Sequence, residues 1–380
     1  MRLRAVLIPV AIVLVAIAAM IGYSHRTFER FFTRGERYLE ARQYAEATIE
    51  FQNATRMNPQ SVDAQMKLAE AYMSMGRTAS AAAAYDRACA IDEHNRAACL
   101  QAASTLLAVG DYENAAARAR GVLAADRFNL DAQLVLASAL AGVRRFADAD
   151  ERLQAALALA PQDARVYRAF ADLQWRRGNA QVAEQALLHA AKLSPSTADA
   201  HVALADLYFA TARPRDGAGE LRAAVDADPW DAEANRAYAS YLTGTEQCAQ
   251  AEQYWQRYAA RAADGSGALA LADYYVWSGR TDDALRVLEP LAARGSGTAA
   301  RARMAAILYD RGEHNKAARL VDELLARDES NVNGLVLKAR LAANGGDTAA
   351  AREYLHKAAA LDPEAPAVRE LRATRPDDPR

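Results

Sequence analysis

Six histidines and three cysteines are the residues from which this 380-residue chain could build a nucleophile, a general base or a metal site. A catalytic centre needs such groups held together in one place. His25, His94, His189, His201, His314 and His356 are instead spread along the whole chain, and no H-E-x-x-H or C-x-x-C occurs. The tightest grouping is Cys89…His94…Cys99. Thiolates and imidazole are zinc ligands, but this spacing is wider than zinc sites use and a fourth ligand is missing. Two other readings of the pair stay open. Cys89 and Cys99 are two small buried thiols on adjoining helices beside a solvated turn histidine, or they pair if the chain lies outside the cytoplasm. Asp148 and Asp150 read as the solvated start of a helix and not as an acid pair. No enzyme, cofactor or metal is expected.

Composition narrows the partners. A net charge of −2 and a pI near 6.3 do not fit a nucleic-acid binder, which carries a clustered basic excess. Arg144-Arg145 and Arg176-Arg177 are short basic pairs on solvated faces, too small for a nucleic-acid stripe. Abundant alanine, and few stretches rich in Val, Ile or Thr after the first 25 residues, favour helix throughout.

A repeat supplies the elements that must position any site. Pro161, Pro195 and Pro229 are 34 residues apart, and Pro59 lies three such periods before Pro161. Two residues after each proline position comes Thr27, Ser61, Asn95, Asn129, Asp163, Thr197, Asp231, Asp264, Gly297 or Asn331. All are residues that serve the unpaired N–H groups of a helix start, so ten caps are expected in phase, opening ten units over residues 28–364. Each unit reads as two helices joined at a corner. Gly76, Gly110, Gly178, Gly279, Gly312 and Gly346 mark six of the corners. Leu68, Ala69 and Tyr72 recur as Leu136, Ala137 and Leu140 and as Leu204, Ala205 and Tyr208, one apolar stripe on the first helix. The second helix sets a small residue four before a large one, as in Ala81/Tyr85, Ala149/Leu153, Ala251/Trp255, Ala284/Leu288 and Ala317/Val321. Small residues let helices approach, large ones fill the space between pairs, and proline ends the second helix.

This pattern resembles the tetratricopeptide repeat, or TPR, a 34-residue helix–turn–helix. The first unit supplies Gly35, Tyr38, Ala47, Phe51, Ala54 and Pro59. The likeness covers almost all of the chain after its first 23 residues. Departures are Ala119 for a large residue, Gly217 for the small alanine, and TGTEQCAQ at the seventh corner, which suggest local looseness. The resemblance implies an all-α solenoid, a right-handed superhelix of about ten repeats over residues 24–364. Its concave groove, lined by first helices, would take a protein or extended peptide. A partial capping helix and polar tail are expected over 365–380.

Groove-facing steps are the second, fifth, ninth, twelfth and thirteenth after each cap. They select Arg165, Arg168, Asp172, Trp175 and Arg176 in the fifth unit, Asp206 and Phe209 in the sixth, Arg236 in the seventh, and Asp273 and Trp277 in the eighth. Aromatic and arginine side chains are the usual interface anchors. Trp175 and Trp277 have a second reading, as packing against the corner of their own hairpin. The basic clamp with which some TPR proteins hold chaperone C-termini is not matched, since Met66, Glu70, Leu100 and Ser104 stand at its steps.

Residues 5–23, AVLIPVAIVLVAIAAMIGY, are uncharged. As a helix they span roughly 28 Å, close to a bilayer's hydrocarbon thickness of about 30 Å. Residues 1–23 therefore read as a transmembrane signal-anchor. The rival is a signal peptide cleaved after Ala16-Ile17-Ala18, but the apolar run continues past that point. Arg2 and Arg4 favour an inside N-terminus, whereas Arg26, Arg30 and Arg34 count against export of the repeat array. The expectation is a non-enzymatic scaffold tethered to a bacterial inner membrane with a periplasmic repeat array, serving an envelope, secretion or exopolysaccharide complex. The alternative is a guide that binds an acidic polysaccharide.

Overall fold

The computed structural model describes residues 25–262, 264–293, 297–363, 365, 366, 368 and 369. Residues 5–23, expected to cross a membrane, lie outside them. No helix among the described residues is long and apolar enough to span a bilayer.

Those residues form twenty helices and no strand. Helix α1 runs through residues 25–40. It is followed by α2 (Tyr44–Met57), α3 (Val62–Ser74), α4 (Thr78–Ile91), α5 (Arg96–Ala108), α6 (Tyr112–Ala125), α7 (Leu130–Gly142) and α8 (Phe146–Leu159). Next come α9 (Ala164–Arg176), α10 (Ala180–Leu193), α11 (Asp199–Ala210), α12 (Pro214–Ala227), α13 (Ala232–Gly244) and α14 (Cys248–Arg261). The last are α15 (Ser266–Trp277), α16 (Thr281–Ala292), α17 (Thr298–Asp310), α18 (His314–Arg327), α19 (Val332–Asn344) and α20 (Thr348–Leu361). Odd and even helices pair as ten hairpins. The chain divides into two compact units, Met1–Tyr238 and Ala239–Arg380.

Every corner is made the same way. The residue at its apex has positive φ, and the next residue donates its N–H five residues back at 2.8–2.9 Å, as Arg77 does to the Tyr72 carbonyl. This closes the end of the first helix, and glycine takes the left-handed conformation most cheaply. The six expected glycines hold it, with φ from 68° to 86°. The other four corners carry Arg42, Arg144, Ala212 and Glu246 at φ 56–62°.

The caps follow the expected register with three exceptions. Ser61, Asn95, Asn129, Asp163, Asp231 and Asn331 accept first-turn N–H groups through their side chains. Thr27 lies inside α1 and not at a helix start. Thr197 turns its hydroxyl back to the Ser194 carbonyl, and Ala198 takes the cap position without a side-chain bond. In the shortened link before α15, Asp264 stands one residue early and Gly265 opens the helix.

In three repeats a second column ties the first helix to the loop before it. The fourth residue after the cap reaches back six residues. Gln133 Nε2 donates to the Arg127 carbonyl at 3.1 Å, the Tyr167 hydroxyl to that of Pro161 at 3.0 Å, and Asn235 Nδ2 to that of Pro229 at 3.1 Å. For the buried Gln133 and Asn235 these bonds satisfy the side-chain N–H groups, which burial would otherwise make costly. Cys99 holds the same place in the α4–α5 pair, and there the tie is covalent: it is bonded to Cys89, S–S 2.08 Å. The free-thiol and zinc readings of this pair are thereby replaced.

Packing follows the small–large rule. In the first unit Ala47, Phe51 and Ala54 are wholly buried, and the Phe51 ring lies against the backbone of Gly35. Ala119, flagged as a departure, is also fully buried. Gly217 is no loose spot either, because the Phe209 ring occupies the space its side chain would take, at 2.9 Å from an added Cβ. In the second unit Ala284, Leu288, Ala317, Val321 and Leu324 are fully buried, and Val368 closes the cluster of Leu335, Val336 and Leu355.

Candidate functional site

Within the first unit, the parallel odd helices α5, α7, α9 and α11 bound a cavity of about 950 Å³. The 34-residue period places equivalent side chains side by side on these helices. Leu100, Ser104, Leu134 and Ser138 form one side. Arg165, Arg168, Asp172, Trp175 and Arg176 come from α9, and Asp206 from α11. Tyr112 and Leu187 reach it from even helices.

The charged wall is organised as pairs. Arg165 forks onto the Asp163 carboxylate, with contacts of 2.8 to 3.2 Å, and also donates to Asp131, one repeat upstream, at 2.7 Å. Hydrogen bonding to Arg165 holds the Asp163 carboxyl below its usual range, and the two acids hold the Arg165 guanidinium charged well above its own. Arg168 faces Asp199, on the next repeat, at 3.7 Å. Arg176 donates to Asp172 at 2.8 Å. Burial pulls the Arg176 guanidinium down, but bonds to Asp172 and Tyr112 raise it further. Asp206 differs. Among the described residues no cation lies within ion-pair distance of it, and desolvation, aided by the charge of Glu233, pushes its carboxyl up against the weaker pull of Arg236. Trp175 is 41% exposed at the end of α9.

Six of the ten residues selected by spacing thus line one cavity: Arg165, Arg168, Asp172, Trp175, Arg176 and Asp206. The others do not join it. Phe209 packs its ring on Gly217 inside its own hairpin. Arg236 forks onto Glu233 of its own helix. Asp273 and Trp277 belong to the second unit. There Asp273 receives a two-pronged bond from Arg303 at 2.8 and 3.0 Å, and Trp277 is 55% exposed at the end of α15. Spacing missed the α5 and α7 contribution, although the same steps counted from Asn95 and Asn129 fall on Leu100, Ser104, Asp131, Leu134 and Ser138. At those steps neither helix carries an aromatic or an arginine to draw notice.

The arrangement offers apolar surface, one exposed indole and paired charges, which suits binding more than bond breaking. Among the described residues no three His, Cys, Asp or Glu side chains are placed to hold a metal ion. His189 stacks edge-on to Tyr167 and His201 pairs with Glu220 at 2.7 Å, in separate hairpins.

Comparison with known proteins agrees with this architecture. The tetratricopeptide repeat pattern matches residues 32–96, 134–200 and 304–366, together just over half of the chain. No curated protein matches. Among solved structures, a thermophilic TPR protein of Thermus thermophilus is 22% identical over 48% of this chain and 100% of its own, with a TM-score of 0.42. PilF of Pseudomonas aeruginosa is 23% identical over 56% of this chain and 97% of its own, TM-score 0.42. A tetratricopeptide repeat protein of Parabacteroides merdae is 15% identical over 62% and 93%, TM-score 0.47.

Proposed function

Because this chain belongs to the tetratricopeptide repeat family, a generally non-catalytic scaffold whose members bind protein partners, we propose that its cavity between α5, α7, α9 and α11 holds a segment of another protein. The carrying observation is the exposed indole of Trp175 on the wall of an open cavity. A large aromatic left partly in solvent on a cavity wall fits a binding anchor better than a core residue.

The scaffold is tethered to a bacterial inner membrane by residues 5–23 and works on the periplasmic side, within an envelope, secretion or exopolysaccharide assembly. The apolar length of that segment supports the tether. The Cys89–Cys99 disulfide supports the compartment, because such bonds persist where the surroundings oxidise. The polysaccharide-guide reading has less support, since Arg165 and Arg168 already face aspartates.

Site-directed photo-crosslinking in cells tests the cavity. A photoreactive residue at Ser138 or Trp175 should give a protein adduct that the same probe at exposed Val182 on α10 does not. Equal adducts from both places would remove the cavity from the claim. Alkaline phosphatase fused after residue 262 should be active, and an inactive, stable fusion would put the array in the cytoplasm.

A further inference from the structure

Three acids and three arginines line the cavity, and every one of those arginines is already engaged. Arg165 is matched by Asp131 and Asp163, Arg168 by Asp199, and Arg176 by Asp172. Of the three acids on the lining, Asp131 and Asp172 are paired with arginines, and Asp206 remains. No arginine is left to receive an acidic ligand without giving up an aspartate, whereas Asp206 has no cation in contact among the described residues. Trp175 adds a second feature suited to a cation, because an exposed indole face attracts ammonium and guanidinium groups. Around both, Leu134, Ala169, Ala203 and Leu207 give apolar surface on which the long stem of such a side chain can lie.

We propose that this cavity selects an extended segment of a partner protein bearing a lysine or arginine, whose charged head sits on Asp206 and whose stem and head lie along Trp175. The inference rests on the reading that the cavity binds a protein. It adds the chemical class of the anchor, and it assigns Arg165 and Arg168 to shaping the wall.

A randomised decapeptide phage library selected against the immobilised full chain in detergent tests it. Selected sequences should share one Lys or Arg at a fixed place. A synthetic peptide of that sequence should lose at least tenfold in affinity when the basic residue becomes norleucine or when the chain carries Asp206→Asn, with unchanged circular dichroism. Asp206→Lys should shift preference to the peptide with Glu at that place. Trp175→Ala should also weaken binding tenfold. If Trp175→Ala weakens binding while Asp206→Asn stays within twofold, the charge inference falls and the cavity reading stands. If neither variant matters, or no peptide is selected, both fall. Binding of polygalacturonate, an acidic glycan, in competition with the peptide would also overturn the inference.

Discussion

Arg280, at the start of α16, donates to the Glu252 carboxylate on α14 at 2.7 Å, and the same carboxylate takes the Tyr275 hydroxyl at 2.9 Å. The other unit holds a copy. Arg213 donates to Glu184 at 2.9 Å, the Tyr208 hydroxyl does so at 2.9 Å, and each arginine lies over the ring of its tyrosine. In both, the arginine also binds an aspartate three residues on, Asp216 or Asp283. One glutamate therefore ties the corner of a hairpin to the helix before it.

The titration of this clamp has a defined sign. The Arg280 bond lowers the Glu252 carboxyl below its free value of about 4.3. Its contribution is complete above that value and fades as pH falls through the lowered one. Tyr208 is pushed up to about 12, by burial first and then by Glu184. Its contribution holds below pH ~10, the free phenol value, and is lost between ~10 and 12. Urea midpoints between pH 9 and 11.5 should fall more steeply for wild type than for Tyr208→Phe. Parallel slopes would contradict the assignment.

Three glycine-to-alanine substitutions should divide by the space each finds. Gly121 and Gly219 lie in helices with nothing within 4 Å of an added Cβ, so alanine should raise stability by about 0.5–1 kcal/mol. At Gly35 the new methyl meets the Phe51 ring at 2.6 Å, and that ring is fully buried. Overpacking costs of about 1–3 kcal/mol outweigh the helix gain there. Denaturant midpoints should move up for the first two and down for the third.

Ala212 holds a corner at φ 59° without being glycine. Ala212→Gly should stabilise the first unit by about 1 kcal/mol, because the left-handed conformation costs an L-residue roughly that much. A fall in thermal midpoint would show that the alanine methyl makes a compensating contact.

Phe51→Ala empties the centre of the first hairpin. With Ala47 and Ala54 wholly buried around it, the loss should be about 3–5 kcal/mol. A loss below 1 kcal/mol would mean the hairpin collapses to fill the space.

Breaking Cys89–Cys99 releases an 11-residue loop and should cost roughly 2–3 kcal/mol. Dithiothreitol should lower the unfolding midpoint of wild type and leave the Cys89→Ala/Cys99→Ala variant where it is. Equal response of both would show that the bond does not close in solution.

The sequence reveals what repeats and hides what does not. Six of ten corners were legible because glycine is the only residue that announces positive φ; Arg42, Arg144, Ala212 and Glu246 take the same shape silently. Six caps were legible through their oxygen-bearing side chains. Thr197 failed because the register fixes a residue's place and not where its hydroxyl turns. Helical spacing gives the face on which Phe209 lies, but not its contact with Gly217 across the hairpin. The pairing of Asp131 with Arg165 spans one repeat and was open to the same count that found the arginine. The cysteines stand ten residues apart in sequence, and only the meeting of α4 with α5 sets their Cα atoms 4.6 Å apart.

Gln133, Tyr167 and Asn235 each grip the loop before their own helix through a backbone carbonyl, so that contact does not depend on the side chain of the residue gripped. Phe128, on one such loop, points largely into solvent. A fluorophore or affinity handle attached at that position would leave the gripping bond as it was.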